Sequence, residues 1–274
     1  MRVAVTGAGG FVGRAVASAL GGAGHDVVPV TRAVADVERP DQVAAVLADV
    51  EAACHLAAVV RVRDSLADPL GTWRTNLGGT LAVLGALRPG ARLVLASTAA
   101  IHDDVPPAHP YGASKLAAEL AARDASATGA LGTVSLRLAN VAGPGDTDGS
   151  RLLPAILAAA CGGTPFTVNG DGSAVRDLVH VDDAAAAFVA ALDVAAPGSF
   201  RAVPVGSGRP VTIREVLASV ERVTGRAVAV AYRDAAPEPR TVTVDPTEAR
   251  SALGWAPRRS TIDRIVRDAL TSGA

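Results

Sequence analysis

Tyr111 and Lys115 stand four residues apart in the run Tyr111-Gly112-Ala113-Ser114-Lys115. On a helix, residues i and i+4 share one face. A free phenol ionises near pH ~10, too high for acid/base work at neutrality. A neighbouring ammonium favours the phenolate and brings that value down. The pair therefore makes a proton donor and acceptor for a carbonyl or carbinol oxygen. Upstream, Arg92-Leu93-Val94-Leu95-Ala96 reads as a strand that delivers Ser97-Thr98 at its end. A hydroxyl at the carboxyl end of a strand in an open α/β sheet faces the ligand crevice, where it can hold the same oxygen. Composition singles out the same place. Among 26 Lys+Arg, Lys115 is the only lysine, and Tyr111 and Tyr232 are the only tyrosines. A chain that otherwise uses arginine keeps lysine where a compact ammonium on a flexible stem is required.

A second constellation lies at the start. The apolar run Val3-Ala4-Val5 passes into Thr6-Gly7-Ala8-Gly9-Gly10-Phe11-Val12-Gly13, where Gly7, Gly10 and Gly13 have the spacing G-x-x-G-x-x-G before a helix. Such glycines allow a tight turn, close backbone approach to a pyrophosphate and close helix–strand packing. The helix N-terminus adds N–H groups and partial positive charge. About twenty positions on, where an acid commonly holds the ribose 2′-OH, stand Thr31 and Arg32. With no acid to repel a 2′-phosphate, the pair favours NADP(H), with NAD(H) as the second option. The competing reading of Arg32 is a solvated surface charge. Asp36 follows, as acceptor for the adenine amine or as a turn cap.

The elements that position these residues alternate. Strands are expected at 26–30, 52–56, 92–96 and 134–138, and helices from Phe11 to about Gly21, at 41–47, 69–87 and 111–127. This rhythm predicts an α/β fold: a Rossmann-type, doubly wound parallel sheet. After Gly143-Pro144-Gly145 it changes. Helices are expected at 152–160, 182–192, 213–224, 246–253 and 261–270, with strands at 165–168 and 200–205 and an exposed loop at Pro237-Glu238-Pro239. The expected division is a dinucleotide-binding domain over 1–145 plus about 177–206, and a small substrate lobe over 146–176 and 207–274.

Composition excludes other classes. The 274 residues suit one large domain or two small ones at roughly 150 residues each. A hydrophobic share of 49% with 19% charged residues excludes extensive disorder. A net charge of -1 gives no footprint for nucleic acid or an anionic membrane. The longest apolar run, Ala184 to Leu192, falls short of the roughly 20 residues a bilayer requires. Met1-Arg2 leads directly into a strand, so no signal peptide is expected. Cys54 and Cys161 make no disulfide framework, and a cytoplasmic location is the expectation. The five histidines have no metal-ligand spacing, and no metal is expected.

Several motifs carry a resemblance: the glycine loop, His55-Leu56-Ala57-Ala58, Asn76-Leu77-Gly78-Gly79-Thr80, Ser97-Thr98, Tyr111 to Lys115, and Arg137 to Gly145. Later come Val168 to Gly172, Arg176-Asp177, His180-Val181-Asp182-Asp183 and Leu253-Gly254-Trp255. Together they resemble the extended short-chain dehydrogenase/reductase family, in its NAD-dependent epimerase/dehydratase branch acting on nucleotide sugars. The resemblance implies that Tyr111 is the acid/base, Lys115 its tuner and ribose contact, and Thr98 the catalytic hydroxyl. It implies cofactor contacts from Gly7, Gly9, Gly10, Phe11, Val12, Gly13, Thr31, Arg32, Asp36, Val37, Leu56, Ala57, Ala58 and Asn76, and substrate contacts from Ser97, Asn140 and Arg176. An ion pair with Asp177 is the competing reading of Arg176. The resemblance also implies a homodimer through the helices at 69–87 and 111–127.

Departures narrow the reaction. Ala99-Ala100 follows Thr98 where the family's 4,6-dehydratases carry Asp-Glu, and the Glu of the decarboxylases is missing too, so neither reaction is expected. His102-Asp103 replaces the family's Tyr-Gly. Ala235 stands where an arginine often binds diphosphate, leaving Arg233 or Arg240 as substitutes or a substrate without a diphosphate. The chain is shorter than a typical sugar epimerase, which implies a trimmed substrate lobe. The first expectation is an NADPH-dependent 4-ketoreductase of a nucleotide-activated deoxysugar. The alternatives are an NAD-dependent nucleotide-sugar 4-epimerase, a non-sugar carbonyl reductase, and a redox-sensing binding protein, which retention of Tyr111 and Lys115 argues against.

Overall fold

The structure is a computed structural model that describes residues 1–101, 105, 107–234 and 240–271. His102-Asp103, Ala235 and the 237–239 loop lie outside the described residues. In chain order the elements are β1 (Arg2–Thr6), α1 (Phe11–Gly22), β2 (Asp26–Val30), α2 (Pro40–Leu47), β3 (Ala52–His55), α3 (Val62–Ala67), α4 (Pro69–Trp73), a π-helical turn (Arg74–Gly78), α5 (Gly79–Ala86), β4 (Arg92–Thr98), α6 (Pro110–Ala127) and β5 (Gly132–Leu138). There follow β6 (Asn140–Ala142), α7 (Leu152–Ala160), β7 (Phe166–Asn169), β8 (Val175–Arg176), β9 (Leu178–His180), α8 (Val181–Val194) and β10 (Phe200–Val205). The last are β11 (Val211–Thr212), α9 (Ile213–Thr224), β12 (Val230–Arg233), β13 (Thr241–Val242), α10 (Thr247–Leu253) and α11 (Ile262–Thr271).

Two compact units result. The first comprises 1–138, 185–205 and 247–255. Its centre is a six-stranded sheet of order β10-β5-β4-β3-β1-β2, parallel throughout. β1 and β3 are neighbours while β2 lies on the far side of β1, so the winding reverses between them. Ligands of open α/β sheets bind beyond the strand ends at such a reversal. The strands read as continuous apolar runs because both faces are covered: Val3, Ala4, Val5, Leu93, Val94 and Leu95 are all fully buried. On one face Leu93 and Leu95 pack with Ala118 and Ala122 of α6, together with Val83 and Leu47. The small residues of α6 let it lie close against the sheet.

The second unit comprises 139–184, 206–246 and 256–274. Its core joins Leu153 and Ile156 of α7, Val216 and Val220 of α9, and Ile265 and Val266 of α11. Short strand pairs surround it, including β6 with β9 and β7 with β12. Residues 139–145 and 177–184, expected in the first domain, lie here because β6 pairs with β9. Residues 247–255, expected in the lobe, lie in the first unit, where α10 packs on β10.

The single helix expected over 69–87 is broken into α4, the π turn and α5. A π turn widens a helix locally and is a frequent feature of functional sites. Here it carries Asn76, buried at 1% exposure. No helix among the described residues is long and apolar enough to cross a membrane.

Candidate active site

The glycine loop joins β1 to α1 at the winding reversal. Gly7 is in the left-handed region (φ +70°), and a Cβ there would lie 2.8 Å from Ala57 N. A Cβ on Gly13 would lie 2.1 Å from Gly7 O. The first glycine thus makes the turn against the end of β3, and the last lets α1 press onto the turn. Gly10 is the N-cap of α1, and no side chain caps that end. A helix N-terminus in this setting is a ready site for phosphate. The cradle therefore fits a dinucleotide.

Thr6 fixes the cradle to β3. Its Oγ1 accepts from the N–H groups of Leu56 (3.1 Å) and Ala57 (3.2 Å). The hydroxyl also shares a hydrogen bond with His55 Nδ1 at 2.7 Å. Burial, and then the charge of Lys115, hold the His55 pKa down to about 3, so the imidazole is neutral.

Thr31 and Arg32 follow β2. Thr31 is half-buried, with its methyl group 3.5 Å from where a Cβ on Gly9 would be, and Arg32 is exposed. Asp36 Oδ1 accepts from Glu38 N at 3.0 Å, as a turn cap does. Val37 is buried against Gly79.

The acid/base candidates come from α6 and β4. His109 caps α6: its Nδ1 accepts from Gly112 N at 3.0 Å, and Pro110 takes the first helical position. The His109 ring also stacks on Tyr111, centroids 5.9 Å apart and planes 12° apart. Burial lowers the His109 pKa and preserves the acceptor that the cap requires. Tyr111 is half-buried. One turn on, Lys115 is 3% exposed and donates from Nζ to Ala96 O at 2.8 Å. Burial pulls its pKa down to about 8, against the opposing pull of Glu119. Thr98 ends β4 at 8% exposure, and its Oγ1 accepts from Ala100 N at 3.1 Å. That bond leaves the hydroxyl proton for a ligand oxygen.

Two candidates are placed differently from the expectation. Ser97 faces away from Thr98, as strand alternation dictates. It is buried, and its hydroxyl donates to Glu119 of α6, so Ser97 is engaged within the core. Asn76 uses its amide on the protein. Oδ1 accepts from Val59 N (2.7 Å), and Nδ2 donates to Val59 O (3.0 Å) and Ser114 Oγ (2.9 Å). Ser114 in turn donates to Tyr111 O at 2.9 Å. Asn76 therefore ties the segment after β3 to the first turn of α6.

Asn140 and Arg176 belong to the second unit. Asn140 is exposed at the start of β6, and its N–H donates to Asp177 O at 3.1 Å. Arg176 is half-buried, with Nη1 donating to Val175 O at 2.9 Å. The Asp177 carboxylate accepts instead from the N–H groups of Ser207 (2.7 Å) and Gly208 (3.2 Å). Arg233, offered as a diphosphate contact, donates to Asn169.

Sequence reasoning missed Glu119, His109 and Ser114. Glu119 had a signal: it continues the i, i+4, i+8 row of Tyr111 and Lys115, and it is a carboxylate on the core face of an alanine-rich helix. His109-Pro110 before the tyrosine also had the form of a helix start.

Comparison with known proteins gives consistent results. The family model for the NAD dependent epimerase/dehydratase family matches residues 3–206. A UDP-glucose 4-epimerase of Azospirillum brasilense is 33% identical over 98% of this chain and 91% of its own length. The structure of MoeE5 in complex with UDP-glucuronic acid and NAD superposes with a TM-score of 0.91 at 28% identity, covering 100% of this chain and 99% of that one. The UDP-glucose 4-epimerase from Brucella ovis in complex with NAD gives 0.90 at 30% identity, covering 99% and 98%.

Two outcomes are expected from this geometry. Gly13→Ala overpacks the loop, costs about 1–3 kcal/mol or more and abolishes dinucleotide binding. Gly9→Ala, whose Cβ meets only the Thr31 methyl group, keeps both. Melting curves and calorimetric titration with NAD+ check the pair, and equal behaviour refutes the cradle. The second outcome concerns Lys115. Between about pH 8 and 10.5 the unfolded chain holds a proton that the folded chain has released. Stability therefore rises with pH across that window, by up to about 1.4 kcal/mol per pH unit. Urea midpoints at both ends of the window should show the rise in the native chain and lose it in Lys115→Met.

Proposed function

The chain belongs to the NAD dependent epimerase/dehydratase family, as an NAD-dependent enzyme of the short-chain dehydrogenase/reductase type, and on that premise we propose that it is a nucleotide-sugar 4-epimerase acting on a UDP-hexose with NAD(H) as cofactor. The observation that carries the choice is the likeness, over 98% of this chain, to a UDP-glucose 4-epimerase. It favours the epimerase over the 4-ketoreductase. It equally favours NAD(H) over the NADP(H) expected from Thr31 and Arg32, since the similar solved structures named above hold NAD.

The geometry supports the following roles. The glycine cradle and the N-terminus of α1 would hold the pyrophosphate, with Leu56, Ala57 and Ala58 beside it. Bound NAD supplies a hydride acceptor and, once reduced, a hydride donor. Tyr111 takes the proton of the sugar 4-hydroxyl as C4 is oxidised and returns it when C4 is reduced from the opposite face. Lys115 stabilises the phenolate that makes this possible. Thr98 donates its hydroxyl proton to the same oxygen. Asn140 and Arg176 are the proposed diphosphate contacts, a role suited to a guanidinium.

We further propose a homodimer through α4, α5 and α6. Leu70, Leu81 and Leu120 on these helices are 71%, 50% and 42% exposed, an apolar load that a partner surface would cover.

Purified protein given UDP-glucose should form the C4 epimer with no net consumption of NAD(H). Tyr111→Phe should lower turnover by about 10²–10⁴-fold. Consumption of one NADPH per 4-keto sugar would establish the ketoreductase in its place. Sedimentation should give twice the 27.4 kDa chain mass, and Leu70→Glu with Leu120→Glu should return it to one chain.

A further inference from the structure

A buried charge cluster lies beneath the strand ends, and the roles assigned above leave it unused. Glu119 is 3% exposed. Its carboxylate accepts from Ser97 Oγ, from Ser135 Oγ at 3.0 Å, and from Arg137 Nε and Nη2 at 3.2 and 2.9 Å. Ser97 belongs to β4, and Ser135 and Arg137 to the adjacent β5. The sheet register pairs Leu95 with Ser135 and Ser97 with Arg137, so the donors converge from two strands on one carboxylate of α6.

The same helix carries Lys115 one turn earlier. Its ammonium is bonded to Ala96 O, immediately before Ser97. Successive residues of β4 thus grip successive turns of α6: Ala96 holds Lys115, and Ser97 holds Glu119. Tyr111 lies one turn further back on the same row.

Bracing alone does not account for the carboxylate. A buried ion pair is a poor source of stability, and apolar side chains of similar size commonly do as well. What leucine cannot supply at this position is a negative charge one turn from an enclosed ammonium. Arg137 matters in the converse sense. As a cation on both oxygens of Glu119 it offsets part of that negative charge and fixes the carboxylate against β5.

We propose that Glu119 is a positioning residue of the active site, whose carboxylate, held by Ser97, Ser135 and Arg137, keeps Lys115 charged and seated on Ala96 O. The inference rests on the acid/base reading of Tyr111 and Lys115. The charged and titratable groups coupled to Lys115 are Glu119 on α6 and His55 on β3, with Tyr111 one turn earlier on α6 and Arg137 of β5 bonded to Glu119. The other elements packed against α6 contribute Arg63, Asp64, Arg74 and Arg201, all exposed, and Arg92 at the far end of β4.

Because Lys115 is the only lysine, a protein labelled with ¹³C at lysine Cε shows one side-chain resonance, whose pH titration reports this ammonium directly. The native chain should titrate at about pH 8. In Glu119→Gln the midpoint should move down by at least half a pH unit. The alkaline limb of turnover should move with it, and kcat should fall at least tenfold with KM for the nucleotide sugar unchanged. Should Glu119→Gln not fold, Arg137→Met tests the same idea with the opposite sign, since the released carboxylate should move the midpoint up. A midpoint unmoved in the folded variant, or moved against these directions, overturns the proposal. The resonance is read without substrate, so failure of the epimerase reading is seen separately, as Tyr111→Phe retaining turnover.

Discussion

An ammonium enclosed at 3% exposure is out of place in a protein interior. Taken from water without compensation it sheds its proton. Lys115 stops short of that because Ala96 O accepts from it, Glu119 stands one turn away, and the histidine nearest in charge is kept neutral. The first two depend on the seating of α6 against β4 and β5. That seating depends in turn on a helix whose core face is alanine where it meets the leucines of β4. The acid/base chemistry proposed for Tyr111 therefore rests on how closely one helix approaches one strand.

The two halves of the site are tied by the end of β3. On one side, Thr6 bonds the N–H groups of Leu56 and Ala57 and fixes the glycine turn against them. On the other, Asn76 holds Val59 by both its N–H and its C=O and reaches Ser114 in the first turn of α6. The stretch from His55 to Val59 is thus held by a hydroxyl on the side of the glycine turn and an amide on the side of α6. Neither residue has to touch a ligand to set the spacing between the cradle and the phenol. Side chains positioned by packing and by a second layer of hydrogen bonds are what a precise site requires.

Most of this was legible because it is local. The glycine spacing, the tyrosine and lysine four residues apart, and the alternation of apolar runs with helical stretches lie within single elements or their junctions. The contacts that the sequence did not show join residues distant in the chain. Ser97 and Thr98 are adjacent, and both carry a hydroxyl. Which of them faces the crevice is set by strand alternation relative to α6, and Glu119 lies 22 residues away. Asn76 sits in a helical run that gave no hint of a π turn, and its partners are 17 and 38 residues distant. The boundary of the second unit was misplaced for the same reason: the pairing of β6 with β9 joins segments separated by a helix and two further strands.

The choice between epimerase and reductase lies beyond such local signals. Both need a proton relay on the same oxygen, a hydroxyl to polarise it and a dinucleotide cradle, and the residues for all three are those an epimerase and a ketoreductase share. Thr31 and Arg32 point toward a 2′-phosphate only because an acid is missing. Yet the absence of a repelling charge is not an attraction. Arg32 stands exposed on the turn after β2 and makes no ion pair among the described residues. A single solvated cation there contributes little to discrimination, whereas epimerisation demands only that the cofactor stay bound through two opposite transfers.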